Sequence, residues 1–298
     1  MKHRSVRPLV IVALIVVASV IAALVTLDLL QGPGRQPVAP STEPTPTAGA
    51  LPRPEEPTTT PIPPSPVLWS ANLESGDLSD WEQDGCGGLF NTRDGTAAVT
   101  NKVAHSGRYA LQLTVNADDG KDHATRLMRW CEPSDLDQAY FSAWYYFPER
   151  VSVDAGWWNI FQFKSRTEED NDPWWILNVG NREDGTMYVY LRDWIHERSY
   201  DQFAKNLPVG QWVHLEVFLR KADDQTGQVT VWQDGTLLFD VTGVQTNYDG
   251  GRVSWGINSY SSGLSPSPTV IYVDDVMMST APITPSVAGS QREGSASE

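Results

Sequence analysis

From Thr186 to Trp194 the chain alternates in a way that only an extended strand sorts into two distinct faces. Met187, Val189 and Leu191 fall on one side, and Tyr188, Tyr190, Arg192 and Trp194 on the other. The apolar side requires a core. The other side presents flat rings and a guanidinium, groups suited to gripping sugar rings and their carboxylates. A strand with one apolar and one polar-aromatic face fits a β-sandwich.

Similar short runs recur at 68–71, 97–100, 109–115, 124–131, 139–147, 158–164, 174–179, 187–194, 212–220, 228–233, 236–241, 253–260 and 269–278. Asp-Gly pairs at Asp94, Asp184 and Asp234 mark turns between some of them. No run of useful length keeps a helical period after residue 31. Many short strands without helices predict an all-β fold, a single antiparallel sandwich. Val229 to Gln233 and Thr236 to Phe239 flank Asp234-Gly235 as a hairpin. Upstream, Val213, Leu215, Val217 and Leu219 point inward, which leaves His214 as a surface histidine.

The flanks differ in character. Residues 1–31 join a basic end (Lys2, Arg4, Arg7) to an apolar run from Leu9 to Leu30, long enough to span a bilayer at ~20 residues. The basic end belongs in the cytoplasm, so the rest lies outside as a single-pass membrane protein. Cleavage near Ala22-Ala23 would instead make it secreted. Residues 32–66, rich in Pro, Thr and Ser, predict a disordered stalk, extended at ~3.1 Å per residue. The folded domain is expected over 67–280, followed by a disordered tail over 281–298.

All 12 tryptophans and both cysteines fall in the expected domain. The formal charge of −15 repels nucleic acid, so DNA and RNA are excluded as partners. Any grip on an acidic polymer must come from a local basic pocket. Cys86 and Cys131, an even pair outside a membrane, predict a disulfide, with two free buried thiols as the alternative.

Gly210-Gln211-Trp212, the alternating strand after it and the Val229–Gly235 segment together resemble the concanavalin A-like and laminin-G-like jelly rolls. Upstream, Tyr140–Pro148 and Trp157–Ser165 extend the match. Their order is similar to that of the jelly-roll polysaccharide lyases, the group of heparin lyase I, glucuronan lyase and alginate lyases. The resemblance runs from about Leu68 to Met278. It implies a groove across the concave sheet, where an arginine, a Gln-x-His pair and a late tyrosine meet. Lys164 stands where that family has its histidine.

Alternation places Gln162 and Lys164 opposite Phe161 and Phe163, and Asn258 and Tyr260 opposite Trp255 and Ile257. β-Elimination on a uronic acid needs a neutralised carboxylate, a base for the C5 proton and an acid for the leaving oxygen. Arg126, Gln162 and Asn258 suit the first task, with Arg129 or Arg192 as substitutes. Tyr260 suits base, acid or both. Lys164 can neutralise the carboxylate, and can act as base only if desolvated or set beside other cations. Tyr188, Tyr190, Arg192, Trp194, Arg129 and Trp158 are the expected substrate-binding residues.

Structural calcium is the one cofactor the resemblance suggests, with Glu74 and Asp275 as ligands and Asp274 as alternate. No organic cofactor is expected. The acidic run Glu168–Asp172 reads as a solvated loop. The expectation is thus a lyase acting on an acidic polysaccharide. A non-catalytic carbohydrate-binding module and an adhesion domain remain as alternatives.

Overall fold

A computed structural model describes residues 66–82, 84–132 and 136–283. The expected anchor and most of the stalk lie outside these residues. Among the described residues no helix is long and apolar enough to cross a membrane.

The chain opens with β1 (Val67–Ala71), the one-turn helix α1 (Ser79–Glu82), β2 (Gly87–Thr92), β3 (Thr96–Thr100), β4 (Ala110–Val115) and β5 (His123–Arg129). It continues through β6 (Gln138–Tyr146), β7 (Ser152–Val153), β8 (Trp158–Arg166), β9 (Asn171–Asn181), β10 (Met187–Asp193) and β11 (Arg198–Tyr200). It closes with β12 (Trp212–Arg220), β13 (Gly227–Gln233), β14 (Thr236–Val244), β15 (Arg252–Ser261), β16 (Leu264–Ser265) and β17 (Thr269–Ser279). Every run expected to be a strand is one. β2, the short strands and α1 are additional.

Two antiparallel sheets form the sandwich. One orders its strands β14-β13-β12-β6-β17-β4-β3, with β1 also on β17; the other orders them β11-β10-β9-β8-β15-β5-β2. Their facing sides bury Val213, Leu215, Val217 and Leu219 of β12 against Phe161, Phe163, Trp255 and Ile257 from β8 and β15. Trp69, Trp81 and Trp255 meet edge-on or tilted, with centroids 4.8 to 6.0 Å apart. α1 exists to seat Trp81, whose indole donates to the Met128 carbonyl at 3.1 Å. Burial of such aromatic area dominates the stability of a core like this one.

The β13–β14 hairpin turns as its Asp-Gly pair requires, with positive φ at both Asp234 (48°) and Gly235 (73°). Cys86 and Cys131 form the expected disulfide, fastening β2 to the end of β5.

His214 is not a surface residue. It points away from the core as alternation requires, yet is only 2% exposed. The segment before β4 folds over the outer face of its sheet: His105 stacks on Trp144 at 3.7 Å, and Trp144 packs on His214 at 5.0 Å. Burial pushes the His214 imidazole down to about 4. Residues 281–283, expected to begin the disordered tail, lie against this outer face, where Ile283 donates its amide to Glu216 Oε2 at 3.1 Å.

Candidate active site

The sheet that carries β10 turns its other face outward, and strand register assembles one polar floor on it. Asn258 of β15 pairs with Arg126 of β5, and Arg126 with Phe90 of β2. On the far side Asn159 of β8 pairs with Asn178 of β9, and Asn178 with Tyr190 of β10. The Asn258 amide donates to Asn159 Oδ1 at 2.5 Å, joining the two halves into a row across the sheet. One step along the strands, Gln162 pairs with Gly256 and Ile176, and Ile176 with Arg192. A further step places Lys164 opposite Ser254.

Gly256 keeps the middle of this floor low. A Cβ there would lie 2.4 Å from both the Leu127 carbonyl oxygen and the Met128 sulfur. That sulfur instead accepts from Gln162 Nε2 at 3.3 Å. Asn258 Oδ1, Asn178 Oδ1 and Arg126 Nε are buried without a protein partner, so the floor keeps polar groups in reserve.

The electrostatics single out Lys164. Burial holds its ammonium below the ordinary lysine value, and the charge of Arg126 lowers it further, against an opposing pull from Asp172. These are the two conditions under which a lysine becomes a base. Tyr260 behaves oppositely. Burial raises its hydroxyl first, and the hydrogen bond to Asp122 (2.9 Å) and that carboxylate's charge add to the rise, while Arg126 opposes it. The Arg126 guanidinium also lies 5.3 Å from the Tyr260 ring centroid and donates to Thr92 Oγ1 at 2.7 Å. Tyr260 is therefore held as a neutral phenol, fit to give a proton.

Tyr188, Tyr190 and Arg192 are all on the groove face, partly exposed. Tyr190 donates to the Gly156 carbonyl (3.3 Å), Tyr188 to Asp201 (3.2 Å) and Arg192 to Ser199 (3.2 Å). Trp194 lies just past β10 and is 53% exposed.

Two expected binding residues belong elsewhere. Arg129, three positions from Arg126, faces the opposite way; it is 4% exposed, pairs with Asp84 and Glu132, and covers the Trp69 ring. Trp158 is fully buried, donating to Ser259 and packing edge-on against Phe147. A register shift between Asn159 and Phe161 reverses the phase of β8, so the ring enters the core. Asn159 and Asn178 are floor residues that the sequence reading missed. The alternation of Ile176, Asn178 and Gly180 against Leu177 and Val179 was the available signal for the second.

Glu74, Asp274 and Asp275 already hold protein donors. Glu74 Oε1 accepts the amides of Arg108 and Tyr109, both at 2.9 Å. Asp274 accepts those of His105 and Ser106, and Asp275 takes the His105 ring and the Ser106 hydroxyl. Among the described residues no three His, Cys, Asp or Glu side chains group as a metal site. Together these carboxylates clasp the segment from His105 to Tyr109 against β17 and the turn after β1.

Comparison with known proteins agrees with this architecture. A sequence profile of the family described as polysaccharide lyase matches residues 73–277. The endo-β-1,4-glucuronan lyase of the fungus Trichoderma reesei superposes with a TM-score of 0.58 at 16% identity, over 72% of this chain and 96% of that one. A cellulose-induced protein gives 0.52 at 14% identity, covering 72% and 98%. The PL-14 alginate lyase from Aplysia kurodai gives 0.50 at 13% identity, covering 72% and 99%. At such identities these structures establish a shared fold. No curated protein matches by sequence.

Proposed function

The chain belongs to the polysaccharide lyase family, and from that membership together with the groove we propose that it cleaves a uronic-acid polysaccharide by β-elimination. One observation carries the reading: a lysine lowered by burial and by a neighbouring arginine shares a strand face with Gln162, beside Arg126 and Asn258.

In this mechanism Arg126 and Gln162 hold the sugar carboxylate, which makes the C5 proton acidic, while Asn258, 0% exposed, supports the floor from beneath through Asn159. Neutral Lys164 takes that proton on Nζ. The released electron pair forms the C4–C5 double bond, the C4–O bond breaks, and Tyr260 protonates the departing oxygen. Lys164 and Tyr260 are six residues apart in the β15 register, roughly 20 Å between backbones, so both long side chains must lean inward over the carboxylate-holding groups to meet one sugar. Tyr188, Tyr190 and Arg192 would seat neighbouring sugars. The expected anchor and stalk would present this groove outside a membrane.

A binding module without turnover is the second reading, favoured by the absence of a histidine from the described floor residues. Incubating the full chain with glucuronan, alginate, heparin-type and pectic polymers separates the two. Growth of the ultraviolet absorbance of unsaturated uronic ends, abolished in Lys164→Ala, establishes elimination. Retention of a polymer without such growth establishes the binding module.

A further inference from the structure

One exposed feature lies outside the floor. Phe203, between β11 and β12, is 86% exposed, the most exposed of the large apolar side chains among the described residues. It is not at the tip of a loose loop. Its neighbour Gln202 is 5% exposed and ties the segment down through bonds to the Val189 carbonyl (3.2 Å), the Lys205 carbonyl (2.8 Å) and the Lys205 amide (3.0 Å). The ring is held out in water by a fixed backbone.

Beside it sits Arg182, whose guanidinium carbon lies 4.6 Å from the Phe203 centroid and 3.8 Å from that of Tyr188. The guanidinium is steered from behind by the Gln202 carbonyl and by Asn206 Oδ1. Among the described residues Arg129 is the arginine that pairs with carboxylates, so Arg182 keeps its charge for other company in a chain of net charge −15. Tyr188 continues the groove, since its ring is 6.2 Å from that of Tyr190 on the same strand face. Gly180 keeps the passage open: a Cβ there would press on the Tyr188 ring at 3.2 Å.

We propose that Phe203, Arg182 and Tyr188 form a distal subsite that binds a uronic acid residue of the polymer, stacking the sugar on Phe203 and pairing its carboxylate with Arg182. This rests on the polyuronate reading of the groove above. Tyr188 lies next to Tyr190, the β10 end of the polar row through Asn178 and Asn159, and β10 is two strands from β8, which carries Asn159, about 10 Å at the usual strand spacing. A polymer crossing the strands from the floor therefore reaches the subsite within a few sugars. A flat ring beside a cation suits an anionic sugar, whose apolar face and carboxylate each find a partner.

The test is affinity electrophoresis of the full chain in gels holding glucuronan or alginate, or the same polymers after reduction of their carboxyl groups. Phe203→Ala removes a ring that buries almost nothing in the fold, and Arg182→Gln removes the charge. Each is expected to weaken retardation by the acidic polymer about five- to tenfold. On reduced polymer the Arg182→Gln defect should vanish while the Phe203→Ala defect stays. Equal retardation of wild type and Phe203→Ala overturns the subsite, and an Arg182→Gln defect that persists on reduced polymer overturns the carboxylate pairing. Unsaturated ends formed without retardation of wild type overturn the subsite and leave the elimination standing. Retardation that depends on Phe203 without unsaturated ends does the reverse.

Discussion

Arg126 lies over the ring of Tyr260, 5.3 Å from its centroid, while the hydroxyl of the same tyrosine donates to Asp122 at 2.9 Å. The cation favours the phenolate and the carboxylate opposes it, and burial decides for the phenol. Tyr260→Phe keeps the ring contacts with Arg126 and Trp157 and removes the hydroxyl, with its transferable proton and its bond to Asp122. We expect kcat to fall by about 10²–10⁴ with KM and the thermal midpoint little changed. A rise in KM at constant kcat would make Tyr260 a binding residue instead.

The pH dependence should follow Lys164. Elimination needs its neutral amine, so the rate rises with pH as the ammonium loses its proton. Burial and Arg126 move that limb below the ordinary lysine range. Arg126→Gln takes away the second of these causes and should move the limb to higher pH as well as lowering the rate. Lys164→Arg keeps a positive charge but cannot act as a base, and should be as inactive as Lys164→Ala. Profiles of kcat against pH check both, and an active Lys164→Arg would rule out the base assignment.

Alternation made most of the fold and much of the floor legible. Phe161 and Phe163 had to face the core, so Gln162 and Lys164 had to face out, and the same logic set Asn258 and Tyr260. It failed where strand phase breaks or where another layer intervenes. The shift at Asn159 turned Trp158 inward. The segment that carries His105 covered His214, a non-local contact that no strand pattern encodes. β2 escaped notice because Gly87 and Gly88 give it no side-chain pattern, although Gly87 is needed there: a Cβ would lie 2.1 Å from the Trp81 carbonyl oxygen. Arg182 and Phe203 meet through the fold across a gap in sequence, so only coordinates pair them.

The disulfide should matter to the groove as well as to stability. Trp130 donates its amide to the Cys86 carbonyl at 2.9 Å, next to Cys131, and packs on Phe90 at 5.8 Å, so the bridge fixes the β2 end of the polar row. Closing a separation of 45 residues stabilises by up to about 4 kcal/mol in the loop-entropy account. Replacing both cysteines with serine should lower the denaturation midpoint accordingly and raise KM for long polymers more than for short oligomers. A double variant that loses stability but keeps KM would confine the bridge to a structural role.

Glu216 makes stability depend on pH in a direction opposite to that of most carboxylates. It is 7% exposed on the outer face of the other sheet, and burial raises it to about 7 from 4.5, with the Ile283 amide only partly offsetting the rise. The folded chain thus holds this proton more tightly than the unfolded chain. Below about 4.5 both states are protonated and the residue costs nothing. As pH climbs from there to about 7 the unfolded chain ionises first, so stability falls, and above 7 the deficit is constant. Glu216→Gln never ionises and still accepts from the Ile283 amide. It should be more stable than wild type by about 2–3 kcal/mol at pH 8 and equal to it near pH 4. His214, lowered to about 4, acts in the other sense, losing stability as pH falls from 6.5, but it is common to both proteins and cancels from the difference. Denaturant titrations of the two chains across this range give the comparison directly, and a gap that does not change with pH would mean that Glu216 is no more costly ionised than protonated.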